Sequence, residues 1–375
     1  MVAGRARGAH EASKAHAVLW TGYASHGPAA PHPIALGAAI GKIGAFVAPG
    51  SAMTALPPLS DITIGFGHSA YQLGAEFARR NTGIRFEEFR SAADFHARID
   101  AFDVVCVSAF WRNAPIEKAG KLRFIQSVSA GIDVFGLDAL KAKGIRLASA
   151  QGANAIAVAE HAMGLTLALS RMIHTARDNQ ARKHWRGMIS DPLAREDELA
   201  GKTMLIIGLG CIGGRLARFA KAFDMRVVGL KRDTSVRVEN VDALVGPADL
   251  DRALGEADIV VLTCPLTPET EGLINAQRLK AMKPTAHLIN CARCKVVDED
   301  ALIAALRAGT IAAAGLDVTR EEPLPEASPL WTMENVLITP HTGGETASYE
   351  RRVIDLLVEN LGRLGRGEPL KNGIV

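Results

Sequence analysis

Three short segments in the C-terminal half of the sequence carry side chains that could act together on a small anionic molecule. The side chains are Arg293, Glu322 and His341. An arginine can hold a carboxylate through two parallel hydrogen bonds, and a histidine oriented by a carboxylate can donate a proton. These residue types predict a carboxylate clamp, a proton donor and the acid that orients the donor.

Each of these segments follows a short apolar run of the kind that forms a buried strand. The runs are residues 286–290, 313–317 and 336–338. Strands of a parallel sheet are nearly continuous in apolar residues because both faces are covered, and ligands bind outside the carboxyl ends of such strands. We therefore expect the three side chains to lie at one edge of a parallel sheet.

A glycine-rich turn precedes these segments, in the sequence Gly208-Leu-Gly210-Cys211-Ile212-Gly213. An apolar run precedes the turn and a helical pattern follows it, which is the context that a dinucleotide-binding turn requires. Gly208 permits the tight turn, Gly210 lets the backbone approach a pyrophosphate, and Gly213 allows close packing of helix on strand. Free N–H groups at the start of the helix would bind the phosphates. The turn predicts NAD or NADP as cofactor.

The residues after the next strand bear on the choice between these cofactors. An NAD site usually has an acid there that binds the ribose hydroxyls, whereas this sequence has Lys231 and Arg232, followed by Asp233. Two cations would suit the 2′-phosphate of NADP, which is the preferred prediction. Two alternatives remain open: the cations face solvent, or Asp233 reaches the ribose of NAD.

Strands and helices alternate along residues 61–375. Apolar runs at residues 62–66, 104–107, 124–128 and 145–148 form one series, and runs at 204–207, 226–230, 259–263, 286–290, 313–317 and 336–338 form a second. Such alternation predicts βαβ units and therefore an α/β fold with two doubly wound parallel sheets.

Three helices are predicted beside the strands, at residues 70–80, 155–182 and 346–364. The first half of the helix at 155–182 is apolar nearly all round, so it must be buried between two domains or two subunits. We expect a homodimer with twofold symmetry, the commonest closed symmetry of oligomers.

Length and composition narrow the class of protein. A chain of 375 residues predicts about two domains, and 48% hydrophobic and 22% charged residues are ordinary for a globular protein. Every apolar stretch is interrupted before it reaches the length of a membrane span, so no membrane partner is expected. Five cysteines are too few for a disulfide framework in this length and favour a reducing, cytoplasmic location.

The first 60 residues differ from the rest of the chain in composition and in charge. Half of them are Ala, Gly or Pro, which predicts an irregular extension or an overlong translation start; a targeting segment is the open alternative. They hold four basic residues and one acid, which accounts for the net charge of +3 and leaves 39 of each sign in residues 61–375. A neutral body without a basic run predicts no nucleic-acid partner.

Together, several motifs make residues 62–370 resemble the D-isomer-specific 2-hydroxyacid dehydrogenases, which include glyoxylate/hydroxypyruvate reductases, phosphoglycerate dehydrogenase and formate dehydrogenase. Besides the glycine turn, the matching motifs are Val128-Ser-Ala-Gly131-Ile-Asp, Asn154-Ala-Ile-Ala-Val-Ala-Glu160-His, Cys264-Pro-Leu-Thr-Pro-Glu-Thr270, Asn290-Cys-Ala-Arg293-Cys, Leu316-Asp-Val-Thr-Arg-Glu-Glu322-Pro and Pro340-His-Thr-Gly-Gly344. One departure is Cys294, where the family usually has Gly.

The resemblance implies a domain arrangement. A Rossmann dinucleotide-binding domain, residues 154–339, would be inserted into a flavodoxin-like substrate domain made of residues 61–153 and 340–375. Residues 1–60 would lie outside both domains.

The resemblance also implies roles for individual residues. Arg293 would hold the 2-oxo group and carboxylate, His341 would donate the proton, and Glu322 would orient His341 in its protonated form. The backbone N–H groups of Ala130 and Gly131, with Asn154 nearby, would receive the substrate carboxylate. The cofactor contacts would come from the glycine turn, Lys231, Arg232, Cys264, Pro265, Thr270, Cys291, Ala292, Asp317, His341 and Gly343, with Asp317 on the nicotinamide carboxamide.

Several of these residues have a structural alternative. Asn154 could cap the following helix, Glu322 could be a surface acid, and His161 is expected to be a packed core histidine. The C-x-x-C pair Cys291 and Cys294 would need two further ligands to hold zinc, so no metal is expected. Cys294 could have thiolate character beside the Arg293 cation, or be a small filler.

Taken with the resemblance, these residues predict NAD(P)-dependent reduction of a small 2-oxo acid, such as glyoxylate or hydroxypyruvate, to the D-2-hydroxy acid. The alternative is a non-enzymatic, dinucleotide-sensing binding protein of the corepressor type on the same fold. The complete set of Arg293, Glu322 and His341 favours the enzyme.

Overall fold

The computed structural model describes residues 56–375, and most of the predicted extension over residues 1–60 lies outside these described residues. The described chain contains two parallel sheets, each with helices packed against it. The predicted α/β class is therefore confirmed.

The first sheet has five strands: β1 Thr63–Gly67, β2 Arg85–Phe89, β3 Val104–Val107, β4 Phe124–Ser127 and β5 Arg146–Ala148. Their order is β2-β1-β3-β4-β5, and every pair is parallel. This is the flavodoxin-like order. The apolar runs of β1, β3 and β4 are almost completely buried, as expected for strands covered on both faces.

Three short helices connect these strands: α1 Leu73–Ala78, α2 Ala92–Ala97 and α3 Leu137–Ala142. Helix α1 begins three residues later than predicted. The reason is a turn at the end of β1, where the Nδ1 atom of His68 accepts hydrogen bonds from the backbone N–H groups of Ala70 and Tyr71, at 3.1 and 2.9 Å.

The helix predicted over residues 155–182 is two helices, α4 Ala155–Ser170 and α5 Ile173–Ala181, which meet at 70°. Met172 between them has a left-handed backbone (φ 49°) that ends α4. One side of helix α4 is buried inside this chain, against the second sheet and the helix that follows its first strand. Glu160 and Gly164 of α4 are exposed and Leu167 is partly exposed, so coverage of α4 by a second subunit stays a prediction. No single helix among residues 56–375 is long and apolar enough to span a membrane, although the bent pair passes that test jointly.

The second sheet has seven parallel strands: β6 Thr203–Ile207, β7 Arg226–Leu230, β8 Ala243–Val245, β9 Ile259–Leu262, β10 His287–Asn290, β11 Ala313–Leu316 and β12 Val336–Ile338. Their order is β12-β11-β10-β9-β6-β7-β8. The order reverses beside β6, as in a Rossmann domain. The helices of this region are α6 Cys211–Ala222, α7 Leu250–Glu256, α8 Ala276–Ala281 and α9 Glu299–Arg307.

The chain finally returns to the first sheet. Helix α10 Tyr349–Gly365 presents Val353, Ile354 and Leu357 to the same core as Ile64 and Phe66 of β1. Within residues 56–375, the segments before and after the second sheet thus contribute to the core of the first sheet. The carboxyl ends of both sheets carry the loops that form the site described next.

Candidate active site

Arg293 links the two sheets. It follows β10 by three residues, and its guanidinium lies against the loop after β4: Nε is 3.6 Å from Oδ2 of Asp133, and Nη2 is in contact with Gly131. A methyl group on Gly131 would overlap Nη2. The lack of a side chain at Gly131 is therefore what lets Arg293 approach the loop.

The same loop offers hydrogen-bond donors beside Arg293. Within residues 56–375, the backbone N–H groups of Ala130 and Gly131 donate to no protein acceptor. The neighbouring amide of Ser129 donates to the Ser108 hydroxyl at 2.9 Å, which holds the loop to the end of β3. A guanidinium and two free amides at one place match the two oxygens of a carboxylate.

Asn154 does not act as the helix cap that was one alternative for it. It precedes α4, but its side chain makes no capping hydrogen bond. Its Oδ1 atom is buried and has no partner among the described residues. The amide group is therefore uncommitted, and its substrate contact stays a prediction.

His341 and Glu322 are joined by a hydrogen bond of 2.8 Å between Nδ1 and Oε2. The carboxylate accepts, so Nδ1 carries the hydrogen and Nε2 is the nitrogen left to exchange a proton. The second oxygen of Glu322 accepts from the backbone N–H of Thr319 at 3.1 Å, which fixes the orientation of the carboxylate. Both side chains are about half exposed, so the pair opens to solvent in the absence of ligand.

His341 has a left-handed backbone (φ 56°), and the loop around it is held by Asp317. Asp317 is 4% exposed. It accepts hydrogen bonds from the Thr339 hydroxyl at 2.7 Å and from the backbone N–H groups of Thr342 and Gly343, each at 3.0 Å. Burial opposes ionisation of Asp317, but hydrogen bonds from His161 and Thr339 outweigh it and lower the pKa of the carboxyl group. The predicted contact of Asp317 with a nicotinamide stays a prediction.

His161 makes a contact that the sequence did not reveal. It was expected to be a packed core histidine; its side chain is 23% exposed, and its Nε2 lies 2.8 Å from the Thr339 hydroxyl and 3.4 Å from Asp317. Thr339 is 178 positions away along the chain, so no local pattern could reveal the contact.

The glycine turn has room for a dinucleotide. Gly208 has φ 108°, and a Cβ there would lie 2.5 Å from the backbone nitrogen of Cys264. The position of a Cβ on Gly210 is open, and no side chain caps α6. The N–H groups of Cys211, Ile212 and Gly213 also donate to no acceptor within the described chain. The turn thus fits a pyrophosphate, because its free amides and open space lie at a helix N-terminus.

The residues after β7 include the two cations that bear on the choice between NAD and NADP. In the part of the chain that the structure describes, the side chains of Lys231 and Arg232 form no salt bridge and no hydrogen bond, but each interacts electrostatically with a nearby acid, Lys231 with Asp233 and Arg232 with Glu269. Asp233 is committed to its own turn, where its Oδ1 accepts from the Ser235 hydroxyl at 2.5 Å and from the Ser235 amide at 2.9 Å. Which of the two cofactors binds stays a prediction.

The remaining predicted cofactor contacts lie in two loops beside the turn. The Thr263 hydroxyl donates to the Gly208 carbonyl at 2.7 Å, which joins the loop containing Cys264 and Pro265 to the glycine turn. The Thr270 hydroxyl donates to the Pro265 carbonyl at 2.7 Å, so it is used within its own loop.

The second loop carries Cys291, Ala292 and Cys294 around Arg293. Cys291 and Ala292 are buried, whereas Cys294 is partly exposed. No group of three or more potential metal ligands occurs among residues 56–375.

Comparisons with known proteins agree with this geometry. Residues 163–343 match the model of the NAD-binding domain of D-isomer-specific 2-hydroxyacid dehydrogenases. The chain is 39% identical to a glyoxylate reductase from Pyrococcus furiosus, over 67% of this chain and 75% of the relative. It is 38% identical to a D-3-phosphoglycerate dehydrogenase from Methanocaldococcus jannaschii, over 68% of this chain but only 48% of that longer relative.

A solved structure is similar over nearly its whole length. It is a D-isomer-specific 2-hydroxyacid dehydrogenase from Xanthobacter autotrophicus in complex with NADPH and MES, with a TM-score of 0.71 and 30% sequence identity. The match covers 84% of this chain and 98% of the other. The similarity therefore extends to both sheets and not to the cofactor domain alone.

Proposed function

The chain belongs to the family of D-isomer-specific 2-hydroxyacid dehydrogenases, and from that premise we propose that it reduces a small 2-oxo acid to the D-2-hydroxy acid with NADPH or NADH. The observation that carries the proposal is the position of Arg293 against the loop of Ala130 and Gly131. The cation follows a strand of the second sheet, and the two free backbone N–H groups follow a strand of the first sheet. Together they form a receptor for a 2-oxo carboxylate.

The roles of the side chains follow from this receptor. The backbone N–H groups of Ala130 and Gly131 bind the carboxylate, and the side-chain amide of Asn154 lies nearby. Arg293 binds the carboxylate and the 2-oxo oxygen, and its charge stabilises the negative charge that develops on that oxygen. A reduced nicotinamide dinucleotide held at the glycine turn would supply the hydride that C2 of the substrate receives.

His341 completes the reaction by protonating the oxygen. Its Nδ1–H is held by Glu322 at 2.8 Å, so the proton that moves is the one on Nε2. Glu322 stabilises the positive charge of the protonated imidazole and sets the direction of the ring. In the reverse direction the same nitrogen accepts the proton of the hydroxyl group.

We propose NADP as the preferred cofactor and NAD as the alternative. The cations Lys231 and Arg232, which form no hydrogen bond or salt bridge within the described chain, support NADP, and so does the engagement of Asp233 with Ser235. For the substrate, glyoxylate or hydroxypyruvate is proposed because named glyoxylate reductases are among the relatives.

The function is tested by measuring NADPH oxidation by the purified protein with a panel of 2-oxo acids that includes glyoxylate, hydroxypyruvate and pyruvate. Turnover of at least one small 2-oxo acid is expected, and replacing Arg293 by Ala should abolish it. If the protein binds NADPH tightly and turns over none of the acids, the dinucleotide-sensing alternative replaces the enzyme.

We also propose that the protein is a homodimer, with an interface at a different place from the one the sequence suggested. Trp185 and Met188 follow α5 and are 97% and 101% exposed. A cleft of about 660 Å³ between α5 and this segment is lined partly by both residues. Two large apolar side chains that stand free beside an open cleft favour coverage by a second copy.

Light scattering tests the dimer at micromolar concentration. The wild-type protein should have twice the mass of the chain, and Trp185→Ser should shift it toward the monomer. Trp331→Ser is the control, because Trp331 is also exposed but lies elsewhere on the second sheet's domain. A monomeric wild-type protein would refute the proposal.

A further inference from the structure

A chain of hydrogen bonds runs from helix α4 to the loop that carries His341. The Thr339 hydroxyl lies 2.7 Å from Oδ1 of Asp317, which is ionised and can only accept. The hydroxyl therefore donates its hydrogen to Asp317 and has only lone pairs left for His161. Its second neighbour, Nε2 of His161 at 2.8 Å, must then be the donor. The chain has one direction: His161 to Thr339 to Asp317.

Asp317 holds the backbone on both sides of His341 through hydrogen bonds. On one side it holds Thr339, two residues before His341. On the other side it accepts from the amides of Thr342 and Gly343, the two residues after His341. The left-handed backbone of His341 is uncommon for a residue with a side chain and costs free energy, so it persists only where neighbouring contacts hold it.

The loop that carries His341 packs closely against Asp317 and His161 at Gly343. A Cβ on Gly343 would lie 2.6 Å from Oδ2 of Asp317 and 3.1 Å from Cδ2 of His161. The loop is therefore pressed against the pair formed by Asp317 and His161. Because α4 is buried in the core of the second sheet, His161 gives the loop a rigid attachment.

We propose that His161 is a positioning residue that acts through Thr339 and Asp317 to fix the backbone of residues 339–343 and thereby aim His341. It does not touch the substrate or the reacting atoms. The effect on catalysis rests on the proposed function. The effect on the conformation of the loop can be tested even if the protein has no activity.

The test compares pairs of variants that keep or remove each hydrogen bond. Thr339→Val removes the hydroxyl at nearly constant shape, and Thr339→Ser keeps it. His161→Leu removes the donor, and His161→Gln places an N–H near the position of Nε2. Thr166→Val is the matched control. Thr166 is a fully buried threonine on the same helix, and its hydroxyl bonds only within the helix, to Ala162.

Two measurements are made on each variant: steady-state kinetics and hydrogen–deuterium exchange of the peptide that contains residues 339–344. In Thr339→Val and His161→Leu the amides of Thr342 and Gly343 should exchange faster, and kcat should fall by about 10²-fold, the cost of a misplacement of about 1 Å. The KM for NADPH should change less than kcat does, because the glycine turn lies outside residues 339–343. Thr339→Ser, His161→Gln and Thr166→Val should resemble the wild type in both amide exchange and kcat.

The outcomes separate this inference from the proposed function. If the wild-type protein turns over no 2-oxo acid but exchange follows the expected pattern, the proposed function fails and the positioning role stands. If Thr339→Val and His161→Leu exchange like the wild type, the positioning role is wrong whatever the activity. Should one member of a pair not fold, the other pair carries the same test.

Discussion

Glu322 and His341 lie 19 residues apart and meet through a hydrogen bond of 2.8 Å, with the free nitrogen of the histidine on the far side of the ring. The first prediction concerns the charge of Glu322. Glu322→Gln keeps an acceptor for Nδ1 but removes the charge that stabilises the protonated ring. We expect kcat to fall about 10- to 100-fold, less than the 10²–10⁴ that a general acid contributes in full.

The neighbouring acid provides the control for this change. Glu321 is exposed, and in the described chain its side chain forms no hydrogen bond or ion pair with His341, whose Nδ1 bonds to Glu322. Glu321→Gln should leave kcat within twofold of the wild type. Equal losses in both variants would mean that net charge, and not the bond to His341, is responsible.

The second prediction uses the contact between Arg293 and Gly131. The methyl group of Gly131→Ala would occupy the place of the guanidinium, so Arg293 must move away from the free amides. We expect the KM for the 2-oxo acid to rise at least tenfold, with NADPH binding unchanged. Gly120→Ala is the matched control, because a Cβ at that exposed glycine meets open space. An unchanged KM in Gly131→Ala would contradict the clamp.

The third prediction concerns the cofactor. The ratio of kcat/KM for NADPH to that for NADH should exceed one, because neither Lys231 nor Arg232 is held by a hydrogen bond or a salt bridge within the described chain, although Asp233 and Glu269 lie near them. Lys231→Asp combined with Arg232→Ala should reverse the preference, whereas Arg237→Ala, an exposed cation farther along the same loop, should not. Equal or better use of NADH by the wild type would show that the two cations face solvent.

The fourth prediction concerns the thiols, which react as thiolates. Burial raises the pKa of Cys264 to about 11 and that of Cys291 further. A raised pKa leaves little thiolate at pH 8, so these two cysteines should resist iodoacetamide. Cys211 is exposed in the glycine turn and Cys294 is partly exposed beside Arg293, so these two should react.

Alkylation should inactivate the protein without cofactor, and saturating NADPH should protect it. Mass spectrometry identifies the modified residues. If activity is fully retained and Cys294 is unmodified after prolonged treatment, Cys294 is only a small filler. Rapid modification of Cys264 or Cys291 would contradict their burial.

The sequence predicted the parallel strands best where burial is complete. The run at residues 104–107 is a strand with those bounds, since a strand buried on both faces must be apolar throughout. Strand β2, Arg-Phe-Glu-Glu-Phe, was missed because it lies at an edge, where charged side chains reach solvent. The break between α4 and α5 at Met172 was missed as well, because neither Gly nor Pro marks it.

The sequence could predict those site residues that come directly after a strand. The positions of Arg293 and His341 follow from β10 and β12, which end at one edge of the sheet. The contact between His161 and Thr339 has no such signal, because it depends on how a buried helix packs beside a distant loop. The same is true of the approach of Arg293 to Gly131, which joins two domains.

The central claim is that this chain reduces a 2-oxo acid with His341 as proton donor. The most direct measurement follows NADPH oxidation with hydroxypyruvate by the wild type and by His341→Ala, with NADPH affinity measured separately and the product analysed for chirality. We expect D-glycerate from the wild type and a loss of about 10²–10⁴-fold in kcat for His341→Ala, with a much smaller change in NADPH affinity because the glycine turn is left intact. An L-product, or a variant within a few-fold of the wild type, would contradict the central claim.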